Sequence, residues 1–129
     1  MFVKIFDQIV NKALYLGFVR ARHLAIDSTS VIADCQKPPY DKGNIDPKTG
    51  EHIPSRSETD PDARWGKKSN NRTFFGYKAH HLVDSETGFI LGFATTDASI
   101  NDHIPAEGIV DEAIDAHELS PESLSGDKA

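Results

Sequence analysis

Apolar residues near the start of the chain recur at intervals of three and four: Phe2, Ile5, Phe6, Ile9, Ala13 and Leu16. This spacing is the one-sided stripe of an amphipathic helix, read here as a core face, and Gly17 is placed to end it. The pattern then changes. Leu24, Ala25 and Ile26 are apolar without alternation, as in a central strand covered on both faces, so a strand is expected from His23 to Thr29, with Asp27 near its end. Phe74 to Asp84 alternates instead. Phe75, Tyr77, Ala79, His81 and Val83 fall on one face, and Phe74, Gly76, Lys78, His80 and Leu82 on the other. Ser85-Glu-Thr-Gly88 is a turn signal, and the run Phe89 to Thr96 completes an antiparallel hairpin. Asn101 or Asp102 is positioned to cap a helix with Pro105 in its first turn. Its buried side carries Ile104, Ile109, Val110, Ala113 and Ile114, and it ends near His117. A short last strand is expected around Glu122 to Asp127.

The order is helix, strand, long loop, hairpin, helix, strand. This is an α/β arrangement in which the second helix is a crossover that returns the last strand parallel to the first. Asp27 and Asp127 would then sit at the same carboxyl edge of neighbouring parallel strands, where ligands collect in open α/β sheets. The loop, residues 36–72, is rich in Pro, Gly, Asn, Asp and charge, with a turn at Asp46-Pro-Lys-Thr-Gly50. Loops of this length are usually functional or disordered. Trp65, the single tryptophan, is read as a loop anchor packed on the domain.

A length of 129 residues, 38% hydrophobic, fits one domain with a modest core. The formal net charge of -6 counts against a general electrostatic grip on nucleic acid. Locally the balance reverses. Arg64, Lys67, Lys68, Arg72 and Lys78 lie in a stretch with no acid, a patch suited to phosphates or to solvent. The single cysteine, Cys35, excludes an internal disulfide and fits a reducing compartment. No apolar run approaches the roughly 18 residues of a membrane span. Asp7 and Lys12 interrupt the apolar N-terminal stretch, and no cleavage site follows it, so a cytoplasmic protein is expected. His80 and His81 occupy opposite faces of their strand and cannot line one pocket together. One belongs to the core and the other faces outward.

Two carboxylates brought close repel each other unless a divalent cation lies between them, and hard oxygen ligands suit Mg2+ or Mn2+. A pair of such cations about 3.5–4 Å apart activates a water or hydroxyl and stabilises the leaving oxygen of a phosphodiester. A third carboxylate is generally needed. On spacing alone, an aspartate that caps a helix or turn is the commoner reading of Asp27 and Asp127. Ser28 and Thr29 are read as turn formers, since no Ser-His-Asp constellation can be assembled around them.

Five segments carry a further resemblance. Ala25-Ile-Asp27-Ser-Thr29, Asp60-Pro-Asp-Ala-Arg-Trp-Gly66, Phe75-Gly-Tyr-Lys-Ala-His-His-Leu-Val83, Asn101-Asp-His103 and Leu124-Ser-Gly-Asp-Lys128 resemble, in this order, the catalytic core of bacterial insertion-sequence transposases of the DDE type. The similarity runs from about Leu14 to Ala129. It implies a ribonuclease-H-like mixed sheet with flanking helices, Asp27 and Asp127 as the first two acidic ligands of Mg2+ or Mn2+, and DNA as partner, both transposon ends and target. Arg64 and Lys78 become candidates for phosphate contact. In that family the third ligand is a glutamate on a later helix, and no glutamate here stands in that place. The expectation is therefore residues 1–129 of a partial catalytic domain, truncated before its end, with a leading helix over 1–18 and a flexible loop over 36–72. Its parent would hydrolyse a phosphodiester and join the freed 3′ hydroxyl to target DNA, with this chain inactive alone. The alternative is a non-catalytic remnant that binds DNA, pairs with full-length transposase through an open sheet edge, or self-associates. A stand-alone ribonuclease-H-like nuclease is disfavoured by the missing acid.

Overall fold

The computed structural model describes residues 1–40, 44–69 and 71–126. In chain order the elements are α1 (Phe2–Tyr15), β1 (His23–Ile32), β2 (Arg64–Ser69), β3 (Arg72–Asp84), β4 (Ile90–Asp97), α2 (His103–His117) and β5 (Ser123–Gly126). The strands form a five-stranded sheet in the order β2-β3-β1-β5, with β4 also paired to β3. β5 runs parallel to β1, in register from His23 with Ser123 to Ile26 with Gly126. β2 is antiparallel to β3. The mixed sheet, the parallel return of the last strand and the two helices agree with the α/β, ribonuclease-H-like arrangement expected from the sequence. The chain divides into two compact units: residues 1–28, 80–94 and from 101 onward, and residues 29–79 with 95–100.

In the first unit, Val10 and Ala13 of α1 are buried with Leu24 of β1, Leu82 of β3, Leu91 of β4, Ile109 and Ala113 of α2, and Leu119. Phe6 and Leu14 pack against this cluster half-buried. The core stripe expected on α1 is therefore displaced: Phe2 is 69% exposed, and Ile5, Ile9 and Leu16 are exposed too. The cause lies in the helix itself. Val10 and Leu14 widen the apolar surface beside the first run, and the core takes them with Phe6 and Ala13 while Ile5 and Ile9 stay outside.

Gly17, at φ +78°, closes α1 in a Schellman arrangement. Its own N–H donates to Leu14 O and the Phe18 N–H donates to Ala13 O. At the end of α2 the same left-handed turn falls on Glu118, and the Leu119 N–H donates to Ile114 O. The N-cap of α2 is Asp102, as expected, but its side chain makes no capping hydrogen bond. Ile104, expected on the buried side, is exposed, while Ile109, Ala113 and His117 face inward. His117 ties the helices together: its Nδ1 lies 2.8 Å from Asn11 Oδ1 and its Nε2 3.6 Å from the Asp7 carboxylate. Burial lowers the His117 pKa, with Asp7 opposing.

The second unit has its own core of Ala33, Ala63 and Phe75, with Cys35, Trp65 and Tyr77 packed around it. Trp65 meets Phe75 and Tyr40 edge-on, each at a 5.4 Å ring separation, so it is an anchor as expected, though on a strand. Residues 64–69, which the sequence reading assigned to the loop, form β2, and β3 starts at Arg72. Arg64-Trp-Gly-Lys-Lys-Ser69 offers little apolar alternation, and its strand is selected by pairing with β3. The close approach of backbone explains two glycines. A Cβ on Gly66 would meet Ala98 O at 2.3 Å, and one on Gly76, whose φ is +154°, would meet Val31 O at 2.1 Å. The expected turn at 46–50 is present, with the Gly50 N–H donating to Asp46 O.

Candidate functional site

Asp27 is the fifth residue of β1, an interior position. The strand was expected to stop at Thr29 but continues through Val31 and Ile32, so the serine and threonine after Asp27 do not end it. The Asp27 carboxylate is exposed, and its Oδ1 accepts the Ser28 N–H at 2.7 Å. It stands on the wall of a cavity of about 350 Å³ in the first unit. Asp27 and Ser28 come from β1, His80 from β3, Asp102 and His103 from the start of α2, and Gly126 from the end of β5. Ile26 and Ala106 complete the lining with apolar surface. A Cβ on Gly126 would come within 3.2 Å of the Ile26 side chain, so glycine keeps this wall open. Asp127 lies outside the described residues. The residue before it, Gly126, pairs with Ile26, the residue before Asp27.

Two carboxylates and two imidazoles thus share one hollow. Oxygen donors of this kind match a hard divalent cation. Among the described residues, no group of three His, Cys, Asp or Glu is arranged to hold a metal ion. A larger hollow, about 590 Å³, lies between α1, β4 and α2, with Asp7, Glu112, Asp115 and His117 around Phe6 and Phe93. It takes no residue from the five resembling segments, whereas four of the five contribute to the cavity at Asp27. The resembling segments, not size, distinguish the two.

A family model described as the transposase DDE domain matches residues 20–129. The chain belongs to the transposase DDE domain family. Comparison with curated proteins and with solved structures returns no match. The family links the chain to DNA transposition, with DNA as substrate and divalent metal in general use. The match begins after α1, so that helix lies outside it. Among the described residues, no helix is long and apolar enough to cross a membrane.

For this transposase-family chain, the basic residues singled out from the sequence all belong to the second unit. Lys67, Lys68 and Arg72 are exposed on the β2–β3 hairpin, where the register shifts between Lys67 and Ser69. Arg64 and Lys78 are half-buried. Arg64 Nη1 donates to Pro61 O and Ala63 O, and Lys78 Nζ donates to Ile100 O at 2.7 Å. The patch is therefore a hairpin of three outward cations beside two that brace the fold. Sequence reasoning left the parts of His80, Asp102 and His103 unassigned. Alternation put His80 on a face without saying what that face meets, and capping was a sufficient account of Asp102. Only the segments carrying the family resemblance marked these residues, and spacing alone held no signal that they meet Asp27.

Proposed function

We propose that this chain supplies catalytic-core residues of a bacterial insertion-sequence DNA transposase, with Asp27 and Asp127 as acidic ligands of Mg2+ or Mn2+. The observation that carries this reading is the convergence of four family segments on one cavity in a chain whose family is that of DDE transposases. Asp27 brings an exposed carboxylate on a paired strand, a rigid base for a ligand. When bound, divalent cations activate the attacking water or hydroxyl and stabilise the leaving oxygen of the phosphodiester. Lys67, Lys68 and Arg72 hold the DNA backbone by its phosphates. Arg64 and Lys78, half-buried in the same unit, add their positive charge to that contact. Transposon ends and target DNA are the substrates, and the cytoplasm is the compartment, in keeping with the lone half-buried Cys35.

The test is Mn2+ binding by the purified chain, followed through the free-ion paramagnetic resonance signal. Saturable binding is expected, weakened at least about tenfold in Asp27→Asn and in Asp127→Asn, since loss of a ligand costs no less than loss of its supporting partner. Mn2+ binding that is absent, or equal in the folded variants, would overturn the assignment.

A further inference from the structure

His80 is 1% exposed, yet it lines the cavity that carries Asp27. Of the residues that are both polar and buried in the described chain, Ser57, His80, Asp84 and His117, it alone contributes to that wall. The other imidazoles differ. His81 is on the opposite face of β3 and absent from the lining, and His103 is exposed at the start of α2, open to whatever enters. Burying an imidazole costs desolvation that a leucine or phenylalanine of similar bulk avoids. A neutral ring returns one hydrogen-bond donor and one acceptor at fixed positions. β3 is the sheet neighbour of β1, so the ring is held by the same framework that holds Asp27.

We propose that His80 is a positioning residue of the transposase site: its buried ring supplies a hydrogen bond into the cavity that orients the ligands of the divalent cation. The role rests on the assignment of Asp27 as a ligand. His80 does not itself ligate the cation. It fixes the direction of what does, as partners behind metal ligands commonly do, and their loss typically lowers metal affinity about 10–100-fold.

The first measurement needs no variant. In the 15N-histidine chain, titration with Mg2+ is expected to shift the ring nitrogens of His80 along the same saturation curve as metal binding. Those of His117, outside this cavity, stay in place. The shift disappears in Asp27→Asn. His80→Phe, which keeps bulk and burial, is then expected to lose about tenfold in Mn2+ affinity with little change in melting temperature. His80→Gln, which restores a donor and an acceptor, recovers part of that affinity. If Asp27→Asn leaves Mn2+ binding intact, the ligand assignment itself fails. If Asp27→Asn abolishes binding while folded His80→Phe binds like the parent and the His80 ring shows no Mg2+ shift, the positioning role alone is wrong.

Discussion

Glu118 carries the left-handed turn that ends α2, at φ 52°, where a side chain with a Cβ costs about 1–2 kcal/mol and glycine avoids that cost. It is exposed, so little packing opposes its replacement. Glu118→Gly is expected to raise stability by up to about 1 kcal/mol in urea denaturation, the gain being trimmed by the greater freedom of glycine in the unfolded chain. Gly17→Ala, the mirror experiment at the end of α1, should lower it by about 1 kcal/mol. A destabilised Glu118→Gly would mean that the glutamate side chain holds something the turn needs. Tyr77 offers a test through ionisation. Its hydroxyl donates to the Asp60 carboxylate, a bond that only the protonated phenol makes, and this, with burial and nearby negative charge, pushes its pKa up to about 12. Because the folded value lies above the ordinary 10.0, the contribution to stability is complete below pH 10 and is lost as pH rises through about 12. Phenolate absorbance should show one of the three tyrosines titrating late, and Asp60→Asn should return it to the ordinary range. Three tyrosines ionising together near the ordinary value would rule the bond out in solution.

Among the elements, β3 depends on close backbone contact at Gly76. Any Cβ there meets the carbonyl of Val31 and the amide of Ala33 in a conformation disfavoured for side chains, so Gly76→Ala is expected to cost at least about 2 kcal/mol in chemical denaturation. Retention of parental stability would show that the strands can part without loss. The docking of α1 on α2 answers to pH. The His117 pKa is depressed by burial, so its stabilising contribution is present above the ordinary histidine value of 6.5 and is lost as pH falls below it. The melting temperature should therefore drop between pH 7.5 and pH 5, and less steeply in His117→Gln; equal slopes would remove His117 as the cause. These elements also show what could be read in advance. The alternation of β3, the turn at 85–88 and the limits of α2 were legible because local pattern and tertiary environment agree there. The buried face of α1 was not, since its apolar surface spans about half the helix opposite Lys4, Asp7, Gln8, Asn11 and Lys12, and only the sheet chooses between Ile9 and Val10. β2 escaped notice because two lysines, a glycine and a serine make a poor strand until β3 lies beside them. At the candidate site, the place of Asp27 on a strand was legible, while its sharing a cavity with His80 and Asp102 joins residues far apart in sequence.

At the scale of the whole molecule, the chain has a net charge of -6 but sets Lys67, Lys68 and Arg72 outward on one hairpin. Binding to duplex DNA should therefore be weak at physiological salt and steeply salt-dependent, carried by a local patch against a repulsive background. Each phosphate neutralised releases counterions and contributes about -0.9 to the slope of log affinity against log salt. Replacing all three cations by glutamine should make that slope shallower by up to about 2.7 and weaken binding alike for unrelated sequences. Fluorescence anisotropy of a labelled duplex, taken at several low salt concentrations, reads both quantities. The hairpin and Asp27 belong to different compact units with separate cores, so the two functions should respond independently. The triple variant should bind Mn2+ as the parent does, and Asp27→Asn should leave the salt slope unaltered. A slope unchanged in the triple variant would move the DNA-binding surface away from this hairpin. Loss of Mn2+ binding in the same variant would mean that the two units do not act separately.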